Sequence, residues 1–172
     1  MEKTLLLFSR APGWKNRLLS CMTGWSSLDI VLPQQTGQPV FVVGLDAQTG
    51  VILKMPLANR VIPATTVGVM TFVDLPAGPV VDAVTSQIGK PFDWRWFMPD
   101  AWRRNMKQMD AWFPSELFCW AFLQAGYPVC EDSLARLTLR AFWDLDTHSQ
   151  TSIKKEIVKK NNRIFHSGEK TV

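Results

Sequence analysis

Apolar residues fall in short blocks separated by turn residues, and the length and period of each block predict its structure. Leu5 to Phe8 is a brief continuous apolar run, which predicts a buried strand. Residues Trp14 to Met22 bring Leu18, Leu19 and Met22 to one side of a helix, ended by Thr23-Gly24. Leu28 to Leu32 predicts a strand, followed by a turn over Gln34 to Gln38. Pro39 to Leu45 and Val51 to Leu57 predict two strands around the turn Asp46-Ala47-Gln48-Thr49-Gly50, and Val67 to Val73 a further one. Pro79 to Ile88 reads as a helix with proline in its first turn, stopped by Gly89-Lys90-Pro91.

The second half is more helical in pattern. Ala101 to Ala111 places Trp102, Met106 and Met109 on one stripe. Pro114 to Gln124 is a strongly apolar helix with Gly126 at its C-terminal end. Asp132 to Phe142 predicts a short polar helix, and Ser152 to Arg163 an amphipathic one with Ile153, Ile157 and Ile164 on one face. The order of elements implies an α+β fold, a small antiparallel sheet or half-barrel packed against helices. It divides into one domain over residues 1–146 and a C-terminal extension over 147–172.

Charge sharpens that division. Of the formal net charge of +4, all resides between Gln150 and Val172, where six basic residues face two acidic ones. The body is therefore neutral. It shows no basic stripe with interleaved aromatics, so nucleic acid is not an expected partner. Such a basic tail could touch nucleic acid or anionic lipid, but it reads most simply as a solvated helix with a frayed end. The N-terminal apolar run is too short for a signal peptide or a membrane span, so neither secretion nor membrane insertion is expected.

Three cysteines, Cys21, Cys119 and Cys130, and two histidines, His148 and His166, have no metal-ligand spacing, so no cofactor is expected. The thiols read as free, in a reducing compartment. Eight tryptophans are many for 172 residues. Trp25, Trp94 and Trp120 are expected in the core, while Trp96, Trp102 and Trp112 are candidate anchors at a protein interface.

Two stretches carry a family resemblance. One is Thr23-Gly24-Trp25-Ser26-Ser27-Leu28-Asp29-Ile30-Val31-Leu32-Pro33. The other is Ile88-Gly89-Lys90-Pro91-Phe92-Asp93-Trp94, followed by Trp112-Phe113-Pro114-Ser115-Glu116-Leu117. They resemble the motifs of circularly permuted, NlpC-type papain-like cysteine peptidases, in particular a branch found among bacteriophage tail genes. The N-terminal motif of that family has the form W-S-H-V-[DE]-[IL]-V-L-P, with His as general base. The C-terminal motif has the form I-G-K-P-Y-D-W…W-F-C-S-E-[LF], with Cys as nucleophile. Here the His position is Ser27, the Cys position is Pro114, and Phe92 stands where Tyr is usual. The resemblance spans roughly residues 4 to 145, about one domain. It implies a permuted papain-like fold.

The family chemistry needs a thiolate at a helix N-terminus, where backbone N–H groups and the helix dipole lower the thiol pKa, and a neighbouring His to move the proton. Serine is no base near neutral pH, and proline has no nucleophile. Pro114 does suit the first helical position, so the substitution keeps the helix while removing the reaction. Asp29 is expected on the same strand face as Ser27, and Ser115 and Glu116 are retained neighbours. Cys119 should rotate away from position 114 into the core.

The resemblance thus leads first to a catalytically inactive domain that assembles with other phage tail or baseplate proteins and ends in the virion, after synthesis in the host cytoplasm. A second reading is a hydrolase or acyltransferase with a relocated nucleophile, Ser115 or Cys130, the latter with His148. A third is a module that holds a peptide or glycan in a vestigial cleft without cutting it.

Overall fold

The computed structural model describes residues 3–34, 36–94, 110–128, 137–144, 153–160 and 163–164. Their strands form one antiparallel sheet: β1 (Lys3–Arg10), β2 (Ser27–Val31), β3 (Phe41–Asp46), β4 (Val51–Pro56), β5 (Thr66–Pro76), β6 (Ile153–Lys160) and β7 (Arg163–Ile164). The spatial order is β4-β3-β2-β1-β5-β6-β7. The helices are α1 (Trp14–Thr23), α2 (Leu57–Val61), α3 (Ala77–Thr85), α4 (Pro114–Gln124) and α5 (Leu139–Asp144). The fold is mixed, an antiparallel sheet with helices, as the order of sequence blocks implies.

Register decides which side chains share a face. β1 meets β2 with Leu6 opposite Ile30, Leu7 opposite Asp29, Phe8 opposite Leu28 and Ser9 opposite Ser27. Side chains alternate along a strand, so the even-numbered residues of both strands point one way. There Leu6, Phe8, Leu28 and Ile30 join Met70 and Phe72 of β5 and the apolar residues of α3 and α4 in the main core. The other face carries a smaller cluster of Leu7, Val42, Ala64 and Val67, with Val31, Met55, Leu57 and Val61 packed against it. The sheet is therefore buried on both sides by unequal layers.

The thick layer rests on α4, where every residue from Pro114 to Phe122 is buried. A helix apolar all round belongs inside a core. Phe122 packs on Phe72 with ring centroids 4.9 Å apart. Beside it Phe8, Trp25 and Trp143 form a triangle with centroid distances of 5.6, 5.0 and 5.1 Å. Tilted aromatic contacts at these separations add to the stabilisation from area burial.

Several expectations change. Residues 153–160 form a strand, not an amphipathic helix. β6 runs antiparallel to β5 from Phe72 opposite Ile153 to Thr66 opposite Lys160. The basic stretch thus continues the main sheet, using the backbone groups of β5 from Thr66 to Phe72. β5 itself extends to Pro76, α3 begins at Ala77, and the five residues of α2 replace the expected end of a strand at Leu57. The expected Ala101–Ala111 helix lies outside the described residues except at its last two positions, and so does the first part of the expected 132–142 helix. Its end overlaps α5.

α1 is turned around relative to its sequence pattern. Leu19 is buried, but Leu18 and Met22 face outward. The inner side carries Asn16 and Thr23, with Ser20 half-buried. These polar groups are satisfied within or beside the helix: Asn16 Nδ2 donates to Pro12 O, Ser20 Oγ to Asn16 O, and Thr23 Oγ1 to Leu19 O and Trp25 O. With hydrogen bonds made locally, a polar inner face is tolerated. Gly24 ends the helix in the left-handed conformation, φ 82°, and its N–H donates to Ser20 O.

The aromatic and cysteine expectations also shift. Trp25 and Trp120 are core residues, but Trp94 is 36% exposed. It stacks on Phe92 at 4.3 Å. Trp112, expected as an interface anchor, is buried against Trp120 at 5.2 Å and donates through Nε1 to Gln87 Oε1. Cys21 is free and exposed, whereas Cys119 is disulfide-bonded, contrary to the expectation of free thiols throughout. Among the described residues no helix is long and apolar enough to cross a membrane.

Candidate functional site

The two positions that matter for the family resemblance lie in different layers. Ser27 and Asp29 are alternate residues of β2, so both point to the thin α2 face. Both are buried, Asp29 completely. Ser27 Oγ lies 2.6 Å from Ser9 Oγ, its register partner across β1, and donates to Asp29 Oδ2 at 3.1 Å. Beside them Ser26 Oγ donates to Ser9 O and accepts from the Ala11 N–H.

A charged group from α2 completes this network. Arg60 Nη2 donates to Asp29 Oδ1 at 2.9 Å, and Arg60 Nη1 to Asp46 Oδ1 at 3.2 Å. Asp46 also accepts from the backbone N–H and hydroxyl of Thr49, both at 2.9 Å. Asp46 shares the face of Asp29 because it stands two residues beyond Gly44, which is opposite Asp29 in the β2–β3 register. Arg60 Nε has no hydrogen-bond partner among the described residues.

The electrostatics follow the geometry. Burial pushes the Asp29 carboxyl above its ordinary range, against the pull of Arg60 and of the Ser27 hydroxyl. Burial also works against the Arg60 charge, but the carboxylates of Asp29 and Asp46 outweigh it and raise its pKa. Asp46 is less enclosed. Burial raises its pKa, yet the Thr49 hydrogen bonds and Arg60 together bring it below the ordinary carboxylate range. A buried cation between two carboxylates holds the sheet face and α2 in one arrangement. Asp29 lies beside Ser27, as strand alternation predicts. Arg60, its partner, carries no local signal in the sequence.

Position 114 belongs to the thick layer. Pro114 opens α4, with Phe113 before it in extended conformation. Glu116 Oε2 accepts from the Phe113 N–H, which closes the first turn. Ser115 is fully buried and its hydroxyl donates to Leu137 O. Phe113 and Leu117 on either side belong to the main core, as does Leu28, the β2 neighbour of Ser27 that points the opposite way. The structure therefore joins Ser27 to Asp29, Ser9 and Arg60, and joins Ser115 to Leu137.

The Gly89–Trp94 motif has a structural task. Gly89 N–H donates to Ile52 O, Ile52 N–H to Lys90 O, and Phe92 N–H to Gly50 O, so the segment zips onto the outer edge of β4. Asp93 N–H then donates to Trp112 O, and Trp112 N–H to Pro91 O. The motif thereby ties the sheet edge to the entry of α4, with Asp93 buried at the crossing. Trp96, Trp102, Cys130 and His148 lie outside the described residues. Among the described residues no cluster of His, Cys, Asp and Glu could hold a metal ion.

No protein-family model matches the chain, and no curated protein matches it.

Proposed function

We propose that this chain is a non-catalytic domain on a permuted papain-like scaffold, serving as an assembly component of a bacteriophage tail tip or baseplate. The carrying observation is the enclosure of both family positions. Ser27 is 3% exposed and committed to Ser9 and Asp29, and Pro114 is buried at the head of α4. A peptidase needs its nucleophile and base at a surface that a peptide can reach, within hydrogen-bond distance of one another. Here one position holds a hydroxyl packed on the α2 face, and the other a proline packed in the opposite layer. Burial of Ser115 also argues against a relocated nucleophile there.

The helix start at position 114 is kept although the family's nucleophile is gone. Pro114 preserves the helix start, and Glu116 preserves its first turn. The tail context rests on the motif resemblance alone. It is tested by quantitative mass spectrometry of particles that co-purify with the untagged native protein. Fixed stoichiometry with tail-tip proteins is the expected result. A free protein outside any particle overturns the reading.

A further inference from the structure

α1 presents an apolar stripe to solvent. Its exposed residues include Trp14, Arg17, Leu18, Cys21 and Met22. These lie at i, i+3, i+4, i+7 and i+8, the spacing of one helix face. That spacing ordinarily faces a core, yet here the core side carries Asn16, Ser20 and Thr23. Trp14 is 73% exposed, Leu18 45% and Met22 51%. At about 100° per residue, Arg17 flanks the Trp14–Leu18–Met22 line on one side and Lys15 on the other. Lys15 Nζ also lies over the rings of both Trp14 and Trp94, at 5.9 and 5.7 Å, which steadies the end of the stripe.

We propose that α1 is a docking helix whose occupant is a partner protein with an apolar groove bordered by carboxylates. Charge and shape select that occupant. The helix carries two cations and no acidic residue, so a groove rimmed by Asp and Glu complements it. A second copy does not, because pairing two α1 stripes would set Arg17 and Lys15 against their own kind. Size sets the strength: three side chains on ten residues bury less than the roughly 800 Å² per partner of a standard interface, so the docking is transient. A lipid surface would accept the charge, but so small an apolar stripe falls short of even one acyl chain, which itself gives only marginal membrane binding. A convex helix with anchors at i, i+4 and i+8 suits insertion into a protein groove.

The test uses the full chain with p-benzoylphenylalanine at position 21, irradiated in the cells that make the protein, with adducts mapped by mass spectrometry. The expected adduct is to a different protein, at an apolar surface bordered by Asp and Glu. Its yield should fall about tenfold or more in Lys15→Glu/Arg17→Glu and in Leu18→Ser/Met22→Ser, with unchanged melting temperature. An adduct to a second copy, an adduct to the chain's own residues, or no adduct overturns the proposal. So does flotation with vesicles of phosphatidylcholine and phosphatidylglycerol that the charge-reversed variant loses. The inference is separable from the tail reading. A partner of this chemistry outside any particle preserves docking and overturns the tail context. A particle-bound chain that gives no adduct from position 21 does the reverse.

Discussion

Asp29 and Gly44 face one another across β2 and β3, and the Asp29 carboxylate occupies the space that a side chain at 44 would need. A Cβ at 44 would collide with Asp29 Oδ1 and would come within 2.6 Å of Leu28 O. Relief requires moving either the strand backbone or a buried carboxylate already held by Arg60. Gly44→Ala should therefore destabilise the fold by roughly 3 kcal/mol, the upper part of the usual overpacking cost. Chemical denaturation checks this, and a loss below the scatter of surface substitutions would show that the carboxylate moves freely.

Arg60 is the counter-charge for Asp29. Removing it alone leaves a buried carboxylate without its counter-charge, held by the Ser27 hydroxyl, which costs about 3–5 kcal/mol. Arg60→Met should show a loss of that order, whereas the double variant Asp29→Asn/Arg60→Met should recover much of it. The expected coupling is about 2 kcal/mol, read from a double-mutant cycle. Strict additivity would mean that the two groups do not depend on each other.

The same network predicts opposite pH responses from its two carboxylates. Asp46 has a lowered folded pKa, so its contribution is present above its ordinary value of 3.8 and lost as pH falls through the lowered one. Asp46→Asn should therefore flatten the acid limb of a plot of melting temperature against pH. Asp29 has a raised pKa, so its contribution is present below 3.8 and lost as pH rises through the raised value. In Arg60→Met the opposing pull of the guanidinium disappears. That variant should lose more stability than the parent between mildly acidic and neutral pH.

Restoring the family residues should not restore an accessible site. In Ser27→His/Pro114→Cys the new thiol would stand at the buried head of α4. The number of thiols that react rapidly with an aromatic disulfide reagent should equal that of the parent, and peptidoglycan-peptide hydrolysis should remain at background. A newly reactive thiol would mean that the N-terminus of α4 opens to solvent, contrary to its burial.

Much of the sheet is legible in the chain because β1, β2 and β3 are apolar blocks bounded by turn residues. The β6 segment is ambiguous for a physical reason. Ile153 and Ile157 are four apart, which gives one face at both helical and strand periods. Lys155, between them, shares that face only in a strand, and a lysine there does not mark an apolar stripe. Local pattern gives no sign that β5 has an edge to offer. α1 misleads in the opposite sense, since an amphipathic pattern fixes that a helix has two faces and not which one turns inward. For the site, Ser27 beside Asp29 follows from alternation. Arg60 does not, although a carboxylate within a core strand calls for a counter-charge somewhere. Its source, a short helix after β4, depends on tertiary approach.

The paired backbone bonds between Pro91, Asp93 and Trp112 have a consequence for how the chain tolerates change. They fasten the chain to itself at Asp93 and Trp112, on either side of the intervening sequence. Once the chain is so fastened, doubling the enclosed length adds only about 0.6 kcal/mol of closure entropy. The entropic cost of tying the sheet edge to the head of α4 therefore depends only weakly on how many residues the chain spends between Asp93 and Trp112.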